Sequence, residues 1–294
     1  MLLWFYGFLE WCLGRLIELE VDNIKFSVLM PVYYKDDPVF FEMALHSIFT
    51  DQTVKPSEIV IIVDGPVEIG LQLILDKWDA SMDGLVTICQ LPANVGLGNA
   101  LQLGLKLCKH DLVARMDSDD ISRRDRFEIQ LSCFITNPTL DVCGSNIVEF
   151  VDDLEAVSGV RKLPVGSAEI AKFALHRNPI NHPSVMFKRS RVIEVGGYLD
   201  MPCFEDYYLW VRCIMSGYLL HNVQENLVFM RAGKPQILRR SGLVYAKHEY
   251  KFLNHLLEIG FLKSSTFFPQ VVVKFIFRLT PIFIVEKVYS ALRE

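Results

Sequence analysis

No Cys-x-x-Cys pair occurs in the chain, and its seven cysteines, Cys12, Cys89, Cys108, Cys133, Cys143, Cys203 and Cys213, are scattered and odd in number. Neither a disulfide framework nor a zinc site follows from such spacing, and a reducing cytoplasm is the setting it fits. Long apolar runs are equally scarce. The first nine residues are apolar, but Glu10 and Arg15 break the run, no basic stretch precedes it and no small-residue cleavage site follows. A secretory signal is therefore not expected, and the run falls far below the ~20 residues that cross a bilayer. Trp4, Phe5, Phe8, Trp11 and Leu13 leave two uses for this segment: an amphipathic stretch lying in a membrane surface, or a helix docked on the core. Basic charge is not in excess either. A net charge of -5 over 294 residues argues against wholesale nucleic-acid binding. What is present, 51% hydrophobic and 22% charged residues, suffices for one large globular domain with appendages.

Acid is concentrated in one place. In Arg115-Met-Asp-Ser-Asp-Asp120 an apolar run ends in three carboxylates within four residues, the change of character expected where a strand delivers its end to a rim. Asp117 and Asp119 stand two apart and point the same way in extended chain. Carboxylate oxygens converging on one point suit Mg²⁺ or Mn²⁺ rather than a soft metal. A second reading is a polar turn capping a helix over 121–137, since Asp is a good N-cap.

Upstream, the pattern alternates strand (26–32), helix (40–49), strand (58–63), helix (69–78), strand (85–90), helix (97–108) and strand (112–116). The strands are continuous apolar runs, as expected when helices cover both faces of a parallel sheet. Ligands of such sheets bind beyond the carboxyl ends of the strands. The residues that follow the strands are Pro31-Val-Tyr33, Asp64-Gly-Pro66, Asn94-Val-Gly-Leu-Gly98 and the acidic cluster. Asp64 offers an acceptor to a base ring, while Gly96 and Gly98, ahead of a helix, allow close backbone approach to an anion. The third loop lacks the spacing of a dinucleotide fingerprint or a Walker loop.

Past Pro138 the alternation stops, and strands over 142–151, 157–163 and 184–188 extend the sheet in mixed fashion. Glu205-Asp206 then opens a helix carrying Tyr207, Leu209, Trp210 and Ile214. Residues 234–251 are basic and loop-like before turning helical; Arg239, Arg240 and Lys247 are placed to cover a phosphate or to form a solvated surface. From Thr266 onward Lys274, Arg278, Lys287 and Arg293 interleave with Phe275, Phe277, Ile282, Phe283 and Val288, against only Glu286 and Glu294. That pattern suits either an anionic lipid surface or packing on the core.

Taken in order, Ser27-Val-Leu-Met-Pro-Val-Tyr33, Val63-Asp-Gly-Pro66, Asn94-Val-Gly-Leu-Gly-Asn-Ala-Leu101, Arg115-Met-Asp-Ser-Asp-Asp-Ile-Ser122, Asn181-His-Pro183, Gly196-Gly-Tyr198 and Glu205-Asp-Tyr-Tyr-Leu-Trp210 resemble a family 2 glycosyltransferase of the GT-A fold. The resemblance covers about residues 26–235 and is to the bacterial enzymes that build O-antigen and capsular repeat units. It implies an α/β fold, a Rossmann-like, mostly parallel sheet with helices on both faces, a mixed-sheet extension and a helical C-terminal tail. It divides the chain into an N-terminal segment (1–24), a catalytic domain (25–235, with a nucleotide half to about 120 and an acceptor half beyond) and a C-terminal helical region (236–294). By position it implies that Pro31, Tyr33 and Asp64 hold a uridine, Asn94 and Gly98 line the nucleotide pocket, Asp117 contacts the ribose side and Asp119 binds Mn²⁺ or Mg²⁺. Asp206 would be the general base, with Glu205 beside it positioning the acceptor or the turn; His182 is structural or on the acceptor side.

The implied reaction is inverting transfer of a single sugar from a nucleotide-sugar to a hydroxyl of a lipid-linked polyprenyl diphosphate oligosaccharide, at the inner face of the cell membrane. Processive synthases of the wider family carry Gln-x-x-Arg-Trp and several membrane spans, and this chain has neither. Two other classes use similar residues. A sugar nucleotidyltransferase usually needs a Gly-rich basic loop after the first strand, where Tyr33-Tyr-Lys-Asp-Asp37 is glycine-free; a non-catalytic sugar-binding protein has no need of acids at both 119 and 206.

Overall fold

The computed structural model describes residues 20–82, 84–151, 153–154, 156–232 and 238–280. The N-terminal amphipathic residues Trp4 to Leu13, Lys234, and the tail positions Ile282, Phe283, Lys287, Val288 and Arg293 lie outside the described residues.

Strands β1 (Phe26–Val32) and β2 (Glu58–Val63) are buried along their whole length and pair in parallel, Leu29 beside Val60. Strands β3 (Val86–Gln90) and β4 (Leu112–Arg115) flank them, also in parallel. The continuous apolar character has a direct cause in the strand period of two. Val28, Met30 and Val32 face one core cluster, whereas Leu29 faces another with Val60 and Ile62. Helices α1 (Pro38–Ile48) and α2 (Ile69–Ser81) cover the first face with Phe41, Leu45, Leu75 and Trp78. Helix α3 (Leu97–Leu107) covers the second with Leu101 and Leu105. The α1 amino end is fixed by the Asp37 carboxylate, which accepts from the amides of Val39 and Phe40 at 2.8 and 3.3 Å. Helix α3 lies so close to the sheet that a Cβ on Gly104 would meet Leu29 Cδ1 at 2.3 Å and Ile62 Cγ1 at 3.0 Å.

The sheet continues as β5 (Ile121–Ser122), β6 (Leu140–Phe150), β7 (Val157–Arg161), β8 (Met186–Lys188) and β9 (Leu219–Arg231). The strand order is β3-β2-β1-β4-β8-β6-β9-β5, with β7 paired to β6. Strand β8 is antiparallel to β4 and β6, while β9 runs parallel to β6. This is the mixed extension expected, but its longest member, β9, was not anticipated. His221, Asn222, Gln224, Glu225 and Asn226 interrupt its apolar pattern, and its register on β6 shifts in several places. Buried Asn222 donates its Nδ2 to the carbonyls of Pro164 and Pro179 at 2.8 and 3.0 Å, partners that no local pattern reveals.

The helix expected from 121 starts only at Arg126, as α4 (Arg126–Thr136). Ile121 and Ser122 instead pair with Phe229 and Val228 of β9, and the Ser122 amide donates to Ser47 Oγ at 3.0 Å. The acidic cluster is therefore no helix cap. Arg126 is fully buried beneath it, donating to the Arg115 carbonyl at 2.8 Å and to Gln130 Oε1 at 3.0 Å. Gln130 passes the link on to the carbonyls of Cys143 and Ser184 at 2.9 and 2.8 Å. Burial and the neighbouring Arg115 push the Arg126 pKa down to about 9. The chain joins β4, α4 and β6 to the turn before β8.

Two short helices, α5 (Ser167–Phe173) and α6 (Arg189–Glu194), precede α7 (Glu205–Met215), onto which α8 (Gly242–Glu258) and α9 (Ser264–Leu279) pack. Phe204 stacks on Phe252 with ring centroids 4.7 Å apart, and Tyr207, Val211, Leu253 and Phe267 complete that cluster. The tail cations within the described residues do not face outward. Lys274 Nζ lies 3.3 Å from Glu249 Oε1, and Arg278 Nε 2.7 Å from Glu249 Oε2. Burial of Phe267 against α8 turns this side of α9 inward, which corrects the reading of Lys274 and Arg278 as lipid-facing charges. No helix among the described residues is long and apolar enough to cross a membrane.

The close approach of α3 gives a test. Gly104→Val should cost about 2–3 kcal/mol through overpacking against Leu29 and Ile62, read as a drop of roughly 5 °C or more in Tm; an unchanged Tm would show that the helix can lift off the sheet freely.

Candidate active site

The carboxyl ends of β1, β2 and β4 open into one cleft of roughly 1350 Å³, closed on its other side by the start of α7 and by residues of α8 and α9. That is above the usual range for one small ligand. Pro31, Tyr33, Asp64, Asn94, Asp117, Asp119, Glu205 and Asp206, all named from the sequence, line it. Gly98 does not: it lies below the wall, where a Cβ would meet Glu205 Cβ at 3.4 Å, and Gly96 and Leu97 line the cleft instead.

Asp64 is engaged by the protein itself. Its carboxylate accepts from the amides of Val95 and Gly96 at 2.7 and 3.1 Å, so it holds the second and third rim loops together. Gly96 has φ 86°, a conformation that favours glycine.

At the end of β4, ligand atoms of Asp117, Asp119 and Asp120 all lie within 4.8 Å of one another. Asp117 is paired with Arg115, which is almost fully buried. Asp120 takes the Arg231 amide on Oδ1 at 2.8 Å, while its buried Oδ2 has no protein partner. Burial and the neighbouring carboxylates, Asp117 above all, push the Asp119 pKa up to about 6 and raise that of Asp120 well above the usual range. Asp36, on the loop after β1, is likewise pushed to about 6 by burial, although Ser118 Oγ and the Tyr33 amide donate to it at 2.7 and 3.0 Å. Crowded, dehydrated oxygen ligands with an unpartnered lone pair fit a hard divalent cation such as Mn²⁺ or Mg²⁺.

Across the cleft, Asp206 sits in the first turn of α7. Its Oδ1 accepts from the Tyr207 amide and its Oδ2 from Asn178 Nδ2, both at 2.7 Å, and burial raises its pKa. Glu205 beside it has a buried Oε2 without a partner, and burial followed by the Asp206 charge pushes its pKa up to about 7. The backbone leading into this turn is strained at Cys203, the one non-glycine with positive φ (71°) among the described residues. His182 bonds Tyr198 Oη at 2.8 Å and is driven well below its ordinary pKa by burial. It lines the cleft and stands outside the acidic triad.

Asp36, Asp120 and Asn178 were missed in the sequence. Asp120 was visible as the third acid of its stretch; Asp36 reads as an ordinary turn acid bonded to the Tyr33 amide, and what places it at the cluster, Ser118, lies 82 residues away, as Asp206 lies 28 from Asn178.

The sequence pattern of glycosyl transferase family 2 matches residues 27–196, and the chain belongs to that family. It is 38% identical over 260 residues to the Escherichia coli UDP-Gal:alpha-D-GlcNAc-diphosphoundecaprenol beta-1,3-galactosyltransferase, covering 88% of this chain and 93% of that protein. It is 35% identical over 268 residues to the amylovoran biosynthesis glycosyltransferase AmsE of Erwinia amylovora, covering 90% and 98%. The GT-A fold is shared with the Pyrobaculum calidifontis mannosyltransferase PcManGT, solved with GDP-Man and Mn²⁺, at a TM-score of 0.62 and 18% identity over 92% of this chain and 73% of that one. Residues 1–349 of S. aureus TarS with UDP-GlcNAc superpose with the same TM-score at 16% identity, covering 87% and 72%. The chain is a glycosyltransferase.

The raised acids set a sign for pH dependence. A carboxylate whose folded pKa is raised contributes stability below its unfolded value near pH 4 and loses it as the pH rises through about 6. In EDTA, Asp119→Asn should match wild type in Tm near pH 4 and exceed it by about 3–6 °C at pH 7.5. Mn²⁺ at pH 7.5 should raise the Tm of wild type and leave the variant unmoved. A variant less stable than wild type at pH 7.5 in EDTA would contradict this electrostatic account.

Proposed function

We propose that this enzyme transfers one sugar, with inversion, from a UDP-sugar to a hydroxyl of a lipid-linked diphosphate glycan at the inner face of the cell membrane. The observation that carries the reading is the pairing, across one cleft, of a carboxylate triad at the end of β4 with Asp206 at the start of α7. The E. coli relative, named for a UDP-Gal donor and a diphosphoundecaprenol acceptor, matches along nearly its whole length and supports both substrate classes.

Residues 25–235 form the catalytic unit in this proposal. Pro31 and Tyr33 flank the base, Asn94 borders the nucleotide, and Asp64 keeps the 94–96 loop in place. Asp119, with Asp117 and Asp120, would hold Mn²⁺ or Mg²⁺, which when bound neutralises charge on the departing diphosphate. Asp206 takes the proton from the acceptor hydroxyl as its oxygen bonds to the anomeric carbon. The bond from that carbon to the diphosphate oxygen breaks on the opposite face, and the nucleoside diphosphate leaves with the electron pair. One base on the acceptor side is all that this single displacement needs, in contrast with the two carboxylates of a retaining hydrolase. Asn178 and the Tyr207 amide fix the Asp206 carboxylate so that a lone pair remains for the hydroxyl. Glu205, packed under Leu199 and Gly98, braces the turn.

Membrane contact falls to the outer face of α9, where Phe268, Val272, Val273 and Ile276 are each more than half exposed.

Asp206→Asn keeps shape and hydrogen bonding but cannot accept a proton. Turnover should fall by ~10²-fold or more while calorimetric affinity for the UDP-sugar stays within a few-fold; near wild-type turnover would move the base elsewhere. Replacing Phe268, Val272 and Ile276 together by serine should release the protein from anionic vesicles without slowing transfer to a short-chain acceptor. Continued co-sedimentation of that variant would exclude α9 as the anchor.

A further inference from the structure

The cleft has two poles of opposite sign. The acidic pole lies at the end of β4, and the donor diphosphate, itself anionic, meets it only through a cation. The second pole is basic and needs none. Glu249 of α8, buried at 3% exposure, receives both Nε and Nη2 of Arg278, at 2.7 and 3.2 Å. Lys274 Nζ, one turn earlier on α9, shares the same carboxylate at 3.3 Å, so its ammonium is only partly compensated. Burial, opposed by Glu249, lowers its pKa, and Arg278 and Arg177 add to the decrease. Arg177 is exposed, its guanidinium carbon 5.8 Å from the centre of the Phe173 ring. Arg240 also lines this end, its carbonyl accepting from Arg278 Nη1 at 3.2 Å while its charge bears on Asp206.

This pole is tied to the base. Gln270 of α9 donates to the Leu175 carbonyl at 2.7 Å, which fixes the loop bearing Arg177, and Asn178, next in that loop, holds Asp206. Adjacent arginines divide the cleft: the charge of Arg239 bears on Tyr33 and Asp119, whereas that of Arg240 bears on Asp206 and Tyr245. Beyond Lys274 the same helix turns its apolar face outward. One wall thus carries the base, cleft-lining cations and an exposed apolar helix face, the three kinds of surface that match an amphiphile made of a sugar, a diphosphate and a hydrocarbon chain.

We infer that Lys274, Arg177 and Arg240 form a metal-independent subsite for the diphosphate of the acceptor, which seats the acceptor sugar against Asp206. The inference rests on the reading of the acceptor given above and adds the residues that select it. Three cleft-lining cations acting on one diphosphate give charge-assisted bonds that a neutral glycoside cannot make.

The test compares a hexose-1-diphosphate bearing a short alkyl chain with the matching alkyl glycoside that has no phosphate, in the absence of vesicles. Lys274→Met leaves Glu249 paired with Arg278, and Arg177→Ala alters an exposed side chain, so both variants should fold; a Tm within a few degrees of wild type checks this. Each should raise KM for the diphosphate acceptor about tenfold, with donor KM within twofold and no change for the alkyl glycoside. Arg177→Lys should recover most of the loss, and Lys106→Met, on α3 away from the cleft, should behave as wild type. Equal losses with both acceptors, or none with the diphosphate, would overturn the subsite. A loss seen only when anionic vesicles are added would reassign the cations to a lipid headgroup and likewise overturn it. Calorimetry with the diphosphate acceptor in EDTA, with inorganic pyrophosphate as a second probe, does not depend on turnover. Wild-type binding weakened about tenfold by either substitution supports the subsite even if no UDP-sugar proves to be a donor, and absence of wild-type binding in EDTA refutes it even if transfer occurs.

Discussion

Carboxylates crowded where water is scarce are the constraint around which this molecule is arranged. Asp36, Asp117, Asp119 and Asp120 converge at the ends of β1 and β4, and burial with the neighbouring carboxylates makes the charged forms of Asp36, Asp119 and Asp120 costly. Arg115 relieves this only in part: it contacts Asp117 directly, its charge also favours the ionised forms of Asp119 and Asp120, and its Nε and Nη1 find no protein acceptor. A fold optimised only for stability would not keep such a cluster. Such a crowded set of oxygen donors fits a divalent cation.

Rigidity beneath the cluster comes from a polar relay rather than from apolar packing. Arg126 and Gln130 join the carbonyls of Arg115, Cys143 and Ser184, so the parallel strands and the mixed strands move as one frame. A buried network in which the members find partners specifies a single arrangement more sharply than interchangeable aliphatic contacts do. The acidic half of the cleft is thereby tied to strands and a turn that lie far apart from it in sequence.

The parallel half was legible in the sequence because burial on both faces leaves an unmistakable signal: β1 and β2 begin and end where their apolar runs do. The rim residues were legible for a related reason, since each follows directly from the strand that delivers it. Legibility failed where pairing is non-local. Ile121 and Ser122 read as helix because their neighbours are helical, and only β9, more than a hundred residues later, makes them a strand. Strand β9 was itself hidden by side chains whose partners come from loops, as with Asn222. The inward turn of Lys274 and Arg278 could not be read either, because charge interleaved with aromatics has the same period whether the helix lies on lipid or on protein.

Asp64 carries a wider consequence. In many nucleotide-binding α/β proteins the amino end of the helix after a strand receives the ligand's phosphates, drawn by backbone amides and the helix dipole. Here that slot, at the amino end of α3, already holds an anion supplied by the protein, the Asp64 carboxylate on the amides of Val95 and Gly96. The two amides just ahead of α3 are thereby taken, which leaves those of Leu97, Gly98 and Asn99 as the helix's own amino-terminal donors. An anion reaching this part of the rim thus meets a carboxylate already seated where a glycine-rich phosphate loop would offer free amides.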